Sequence, residues 1–68
     1  MTLGERLIQL RAKAGLNQDT LAEQLGVSRQ SVSKWENDAS VPDLEKLVKL
    51  SGVFGVSLDE LVKGEVPD

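Results

Sequence analysis

Apolar residues recur along this chain at helical spacing, in five stretches separated by glycine, proline and polar capping residues. The first stretch places four apolar residues on one helix face, at intervals of three and four: Leu3, Leu7, Leu10 and Ala14. Thr2 and Glu5 have the spacing of a capping box, so this helix should begin at Thr2. Gly15 follows the last apolar position and is expected to end the helix, since glycine readily takes a left-handed backbone there.

The segment from Gln18 to Asn37, QDTLAEQLGVSRQSVSKWEN, is typical of two short helices joined by a tight turn. Asn17 is a good N-cap for the first of them. Three apolar residues form the inner face of that helix: Leu21, Ala22 and Leu25. Gly26 can adopt the positive φ that the turn requires, and Ser28 is expected to cap the next helix.

The third helix has a polar and an apolar arc. At about 100° per residue, Val32 and Trp35 lie roughly opposite the polar side chains. The polar arc contains five residues: Arg29, Gln30, Ser33, Lys34 and Asn37. Trp35 is expected to be a core anchor rather than a stacking platform. An ordinary solvated face would explain the polar arc, but such faces usually mix charges, and no acid lies between Gly26 and Trp35.

Two more helices are predicted after a loop at residues 38–43. Asp43 should cap the fourth helix, whose inner face is expected to contain Leu44, Leu47, Val48, Ser51 and Phe54, with Leu50 at its margin. Ser57 and Glu60 form a second capping box, opening a helix that should bury Leu58, Leu61 and Val62. Gly64 should end this helix. No segment has a strand pattern, so the sequence predicts an all-α domain at residues 1–63 and a short, frayed acidic tail at 64–68.

Composition excludes several classes of function. The chain of 68 residues has room for one small core, and it contains no cysteine and no histidine. Thiolate metal sites, disulfides and the usual general base are therefore absent, and we expect neither an enzyme nor a bound cofactor or metal. No apolar run is long enough to span a membrane, so the expected location is the cytoplasm.

The net charge of −3 argues mildly against nucleic acid as a partner. However, the net negative charge lies entirely in residues 57–68, and the only charged residues in the polar arc of the third helix are cations. The arc also has the residue types that bond base edges: arginine and lysine pair with guanine, glutamine pairs with adenine, and serine bonds either base. These residues favour an interface with double-stranded DNA.

Three separated segments resemble the lambda repressor and Cro type of helix-turn-helix domain, also called the xenobiotic-response-element family: LRAKAGLNQDTLAEQLGVSRQSVSKWEN, VPDLEKLVKL and FGVSLDELV. The resemblance covers nearly the whole chain, from about Leu3 to Lys63. It implies a compact bundle of five helices, with helix three in the major groove and helix two across the DNA backbone. The base-contacting positions of the family fall on Ser28, Arg29, Gln30, Ser33 and Lys34.

The same resemblance assigns further roles. It places phosphate contacts on Asn17 and Gln18, and a buried salt bridge between Arg11 and Glu36, with Arg11 also within reach of a phosphate. The loop at residues 38–43 departs from the family because it lacks the basic residues common in strong DNA binders. Phosphate contacts from side chains of this loop are therefore not expected, although backbone amides could contribute.

The sequence thus predicts a transcriptional regulator, most simply a repressor, that binds a palindromic operator as a homodimer. Two alternatives stay open. The chain could be an antitoxin that binds both its operator and a toxin, although no separate toxin-wrapping segment is visible. It could also be a protein-interaction module that has kept the fold without binding DNA. A fragment of a longer regulator, with a missing sensing or dimerising part, would have the same sequence features.

Overall fold

The computed structural model describes residues 1–63, which form five α-helices and no strand. These are α1 (Leu3–Lys13), α2 (Gln18–Leu25), α3 (Arg29–Glu36), α4 (Leu44–Phe54) and α5 (Leu58–Lys63). The predicted all-α fold is confirmed. The predicted end of α5 at Gly64 and the frayed tail at 64–68 lie outside the described residues. None of the described helices is long and apolar enough to cross a membrane.

Local hydrogen bonds begin the helices where the sequence predicts their N-termini. Thr2 forms the complete capping box with Glu5 at the start of α1. Asn17, Ser28 and Asp43 each accept a hydrogen bond from the backbone N–H three residues later, which satisfies an amide left free in the first helical turn. The N-termini of these helices are therefore determined by residues that lie within a few positions of each helix start.

The core lies where α3 packs between α1 and α2, with α4 and α5 closing the other side. Nine buried apolar residues form it: Leu7, Leu10, Leu21, Ala22, Leu25, Val32, Trp35, Leu50 and Leu61. Burial of one large apolar side chain contributes about 1.5–3 kcal/mol, so this cluster supplies the main stabilisation of a domain without disulfides. The predictions for the inner faces of α2 and α3 are confirmed.

The predicted inner face of α4 is only partly right. Leu47 and Phe54 pack against the core as predicted. Leu44 and Val48 are instead 70% and 51% exposed, and Leu50, predicted at the margin, is fully buried. Apolar residues cover roughly 220° of this helix, so their spacing fits two different faces. The core packs against the face centred on Leu50, because that face also brings Val53 into contact with the cluster.

Smaller errors of the same kind occur in α1 and α5. Ala14, predicted on the inner face of α1, is exposed. In α5 only Leu61 is buried, while Leu58 and Val62 remain 39% and 49% exposed. A helix of six residues makes fewer than two turns, so it presents only one position fully to the core.

Candidate nucleic-acid interface

The turn between α2 and α3 is closed by backbone hydrogen bonds. Gly26 has a φ of 71°, in the left-handed region that L side chains rarely adopt. The Val27 N–H then donates to the Ala22 carbonyl at 3.0 Å, which satisfies an unpaired carbonyl of the last turn of α2. This turn fixes the direction in which α3 leaves α2.

The two arcs of α3 separate as predicted. Val32 and Trp35 are buried in the core, and the opposite side of the helix faces outward. Four of the five predicted base-contacting side chains line one shallow cleft on that side: Arg29, Gln30, Ser33 and Lys34. Ser28 lies at the helix start, where its hydroxyl accepts from the Ser31 N–H at 3.2 Å and lies 3.1 Å from the Ser31 hydroxyl. Its oxygen is thus already used in capping.

An acid from α2 reaches this surface. The Asp19 Oδ1 lies 3.9 Å from the Arg29 Nε, and both side chains are largely exposed. Asp19 lies in the first turn of α2, where a carboxylate also interacts favourably with the helix dipole. Sequence reasoning missed this neighbour because the α3 segment itself contains no acid before Glu36. The Asp19 carboxylate offsets part of the positive charge at the start of α3.

The far end of α3 is tied to α1 and α2 through one carboxylate. Glu36 is only 5% exposed. Its Oε2 accepts from the Arg11 Nε at 2.6 Å, and its Oε1 accepts from the Arg11 Nη2 at 3.2 Å. The Gln18 Nε2 also donates to that Oε1, at 2.8 Å. Arg11 additionally donates to the Leu16 carbonyl at 3.0 Å. We call Arg11, Gln18 and Glu36 the Glu36 network.

The Glu36 network changes what Arg11 and Gln18 can offer to a phosphate. Both side chains direct donors inward, and the Arg11 side chain is only 20% exposed. Asn17, in contrast, stands exposed at the start of α2, with its side chain used only to cap Thr20. The amides of the first turn of α2 have no helical partner and carry the positive end of the helix dipole, an arrangement that suits an anion.

A second connection joins the loop after α3 to the start of α1. Asp38 accepts from the Thr2 hydroxyl at 2.6 Å and from the Gly4 N–H at 2.9 Å. The hydrogen bond from Thr2, followed by that from Gly4, lowers the pKa of the Asp38 carboxyl below its ordinary value. Gly4 is required here, because a Cβ atom at this position would lie 2.5 Å from the Glu36 carbonyl oxygen. This close approach was not foreseen, since only the three-dimensional packing reveals it.

The loop that follows offers few free amides. The N–H groups of Asp38 and Ala39 donate to carbonyls of α3, at 3.2 Å and 2.9 Å. The Ser40 N–H also donates to the Lys34 carbonyl, at 3.4 Å, so three of the backbone donors considered for phosphate binding are already bonded. Among residues 1–63, no group of three or more acidic side chains lies close enough together to hold a metal ion.

Comparisons with known proteins agree with this geometry. The helix-turn-helix family pattern matches residues 7–61. The HTH-type transcriptional activator BcrR of Enterococcus faecalis is 48% identical over 65 residues, which cover 96% of this chain and 32% of that protein. The HTH-type transcriptional regulator ImmR of Bacillus subtilis (strain 168) is 43% identical over 67 residues, covering 97% of this chain and 53% of that protein.

Solved structures show the same fold. The P22 c2 repressor protein of Salmonella phage P22, crystallised in complex with a synthetic operator, superimposes with a TM-score of 0.90 and 35% sequence identity. The match covers 96% of this chain and 98% of that one. The chain spans about a third to about a half of the length of the curated relatives BcrR and ImmR. Its helix order, its turn and its sequence match over most of the chain together place it in the helix-turn-helix family, with a lambda-repressor-like fold.

Proposed function

We propose that residues 1–63 form the DNA-binding domain of a sequence-specific transcriptional regulator, which reads the major groove with α3. The observation that carries this proposal is the exposed polar arc of α3, a surface of base-bonding side chains on a helix fixed at both ends. Arg29 presents a planar fork of donors suited to guanine, and Gln30 suits adenine. Exposed side chains on a rigid helix can meet base edges at little conformational cost.

Repression by occupying a promoter is the proposed output, because blocking a site requires only the DNA-binding surface. A relative carries the name of an activator, so the direction of regulation depends on the operator position and on the whole protein. We place this activity in the cytoplasm, where a bacterial operator would be met, and propose no catalytic activity. One α3 of eight residues reads only a few base pairs, so a homodimer on two half-sites would supply the remaining specificity.

Selection of bound duplexes from a random DNA pool tests the proposal and yields the operator. On the selected duplex, Arg29→Ala and Gln30→Ala should each weaken binding by about 1–3 kcal/mol and relax the preference at one base pair. Fluorescence anisotropy, with each of the four base pairs substituted at every position, measures both effects.

Lys63→Ala is a matched control, because it removes a similarly exposed cation from α5. It should change neither the affinity nor the base preference. An equal loss on every sequence from Arg29→Ala would contradict base reading and leave only a phosphate contact.

A protein-interaction module that does not bind DNA is the second candidate. The net charge of −3 and the loop without basic residues favour it. A salt series on random-sequence DNA separates the two functions, since a DNA binder loses affinity linearly on a log–log plot. Absence of binding even at low salt would favour a protein partner.

A further inference from the structure

The outward side of α4 carries large apolar side chains that nothing in residues 1–63 covers. Leu44 and Val48 lie one turn apart on this side and are largely exposed. Gly52 continues the line one turn further, and a Cβ atom added there would meet nothing within 4 Å. We call Leu44, Val48 and Gly52 the α4 stripe. Leu50, on the opposite side, already anchors the helix in the core, so the fold does not need the stripe.

The glycine makes this surface more unusual. Glycine inside a helix weakens it, and no neighbour within the described residues requires one at this position. A second helix packed against the stripe would require a small residue, since glycine lets two helix backbones approach closely. An uncovered apolar line that ends in a helical glycine is therefore better suited to contact another helix than to face water.

Two opposite charges run along one flank of the stripe. Glu45 and Lys49 are both exposed and lie 3.9 Å apart between Oε1 and Nζ. On the helix they fall about 60° and 100° from Val48, on the same side. A pair with this exposure contributes little to the fold of a single chain. The four-residue spacing of Glu45 and Lys49 matters more for which charges a second helix could place opposite them.

We propose that the α4 stripe is the contact through which two copies of this chain associate, with their α4 helices antiparallel. A two-fold axis near Val48 sets this residue against its own copy. The same axis sets Leu44 against the partner's Gly52, where no side chain blocks it. A two-fold contact uses the same patch on both chains, and the stripe is complementary to itself in this register.

The charges select the antiparallel arrangement. Residues on one flank of an antiparallel pair face the same flank of the partner, so Glu45 of each chain would lie near the partner's Lys49, displaced from it by about 3 Å along the helices. In a parallel arrangement the two charged flanks would lie on opposite sides of the pair, so the charges of one chain would not meet those of the other. The two-fold symmetry forms this ion pair twice, on a surface where the single chain gains little from it.

The dimensions of the chain allow contact between neighbours on DNA. Its Cα atoms span 34 × 22 × 21 Å, and half-sites one helical turn apart are about 34–36 Å from centre to centre. Two copies on adjacent half-sites would touch when the long axis of each lies along the DNA. A contact through one helix is smaller than the ~1,200–2,000 Å² that stable interfaces bury, so the pair should form on DNA and dissociate when free. The proposal rests on the proposed function for this setting.

Charge exchange tests the contact. We would compare a duplex carrying one selected half-site with a duplex carrying two inverted half-sites one helical turn apart. Glu45→Lys and Lys49→Glu should each leave binding to the single site unchanged and weaken binding to the paired site by roughly 10-fold, because each variant places like charges opposite each other. An equimolar mixture of the two variants should recover the lost affinity, since every pair in the mixed dimer is again opposite in sign.

The control uses the similar pair on α5. Asp59 and Lys63 are also exposed, four residues apart and 3.9 Å from each other. Mixing Asp59→Lys with Lys63→Glu should have no effect on the paired site. Rescue by this mixture, or none by the α4 mixture, would overturn the proposal. So would an equal loss on single and paired sites, which would mean that α4 contacts the DNA.

Failure of DNA binding would be recognised separately. If the unchanged chain bound neither duplex, the proposed function would fail, and the stripe would be tested by sedimentation equilibrium at high protein concentration. Stronger association in the mixture than in either variant alone would then still support the α4 contact, and equal sedimentation of all samples would overturn it. A monomer that binds single and paired sites with equal affinity per site would overturn only the α4 contact.

Discussion

Asp38 occupies a backbone conformation that few side chains tolerate. Its φ is 58°, in the left-handed region where glycine and asparagine are the usual residues. The carboxylate compensates by bonding Thr2 and Gly4 at the start of α1. Asp38 thus joins the end of α3 to the beginning of α1, and its charge, rather than its shape alone, stabilises the folded chain.

Asp38→Asn should reveal this contribution as a dependence on pH. The hydrogen bonds lower the pKa of Asp38 in the folded chain, so the carboxylate stabilises the fold above its unfolded pKa of about 3.9. That stabilisation is lost as the pH falls through the lower, folded pKa. The variant should therefore be less stable than the unchanged chain at pH 7, and the gap should close under strong acid.

Urea unfolding followed by circular dichroism across this pH range measures the gap. Asparagine tolerates the left-handed backbone, so the comparison leaves the backbone unstrained. The substitution removes the charge together with one of the two acceptor oxygens, and the dependence on pH reports the charge. Asp59→Asn removes an exposed acid of α5 and should leave stability at pH 7 nearly unchanged. A gap of the same size at every pH would mean that the carboxylate charge is not what holds Asp38 to α1.

The close crossing of α1 over the end of α3 depends on Gly4, because glycine has no side chain. An alanine Cβ at Gly4 would come within 2.5 Å of the Glu36 carbonyl oxygen and 2.7 Å of the Trp35 carbonyl oxygen. Both are backbone atoms, so they can yield only if the helices move apart. The position of the reading helix is thus set partly by how closely α1 can approach it.

Gly4→Ala should consequently destabilise the domain by about 1–3 kcal/mol, as overpacking in a tight contact does. Gly52→Ala is the matched comparison, because that glycine is also helical but faces open space. It should stabilise the domain by about 0.5–1 kcal/mol through the higher helix propensity of alanine. Urea midpoints compare the two, and a Gly4→Ala variant as stable as the unchanged chain would contradict so close a crossing.

Sequence reasoning succeeds in this chain where the relevant contacts are local. Thr2, Asn17 and Ser28 each cap a helix by accepting a hydrogen bond from an N–H three residues later. In α3, Val32 and Trp35 define a single apolar face, so only that face can be buried. Sequence reasoning fails in part for α4, because the apolar residues of this helix cover a wide arc and fit two different faces. Periodicity measures how apolar a face is, but only the neighbouring helices determine which face is covered.

The residues of the candidate site on α3 were easier to predict than the side chains from other helices that contact this region. The resemblance supplied the positions on α3, but it does not include Asp19 beside Arg29 or the bond from Gln18 to Glu36. Both contacts join side chains from different helices. The predicted phosphate contacts of Gln18 and Arg11 remain predictions, now for side chains that also hold the fold together.

The Glu36 network connects three of the helices of the domain. One buried carboxylate accepts three hydrogen bonds, from α1 and from α2, and lies at the end of α3. All the helices that position the reading surface therefore meet at this point. A chain of 68 residues has a total stability of roughly 3–10 kcal/mol, so losing one partner of this network would remove a large part of it.

Glu36→Gln should lower the free energy of unfolding by about 3–5 kcal/mol, because it leaves the Arg11 charge half-buried without its partner. Thermal and urea unfolding measure the loss, and Glu23→Gln, which changes an exposed acid of α2, provides the comparison. An unchanged melting temperature would show that the pair contributes no net stability. Binding to the selected DNA should be measured below the variant's unfolding midpoint, so that misplacement of α3 is separated from unfolding.

In α3, the side chains that can read DNA and the side chains that hold the helix are different residues. Val32, Trp35 and Glu36 attach it to the rest of the domain, whereas Arg29 and Gln30 make no contact with the core. Under the proposed function, the target sequence could therefore drift in evolution, or be redesigned, through exchange of the outer residues alone. Such an exchange would change the DNA sequence that is bound while leaving the folding of the domain intact.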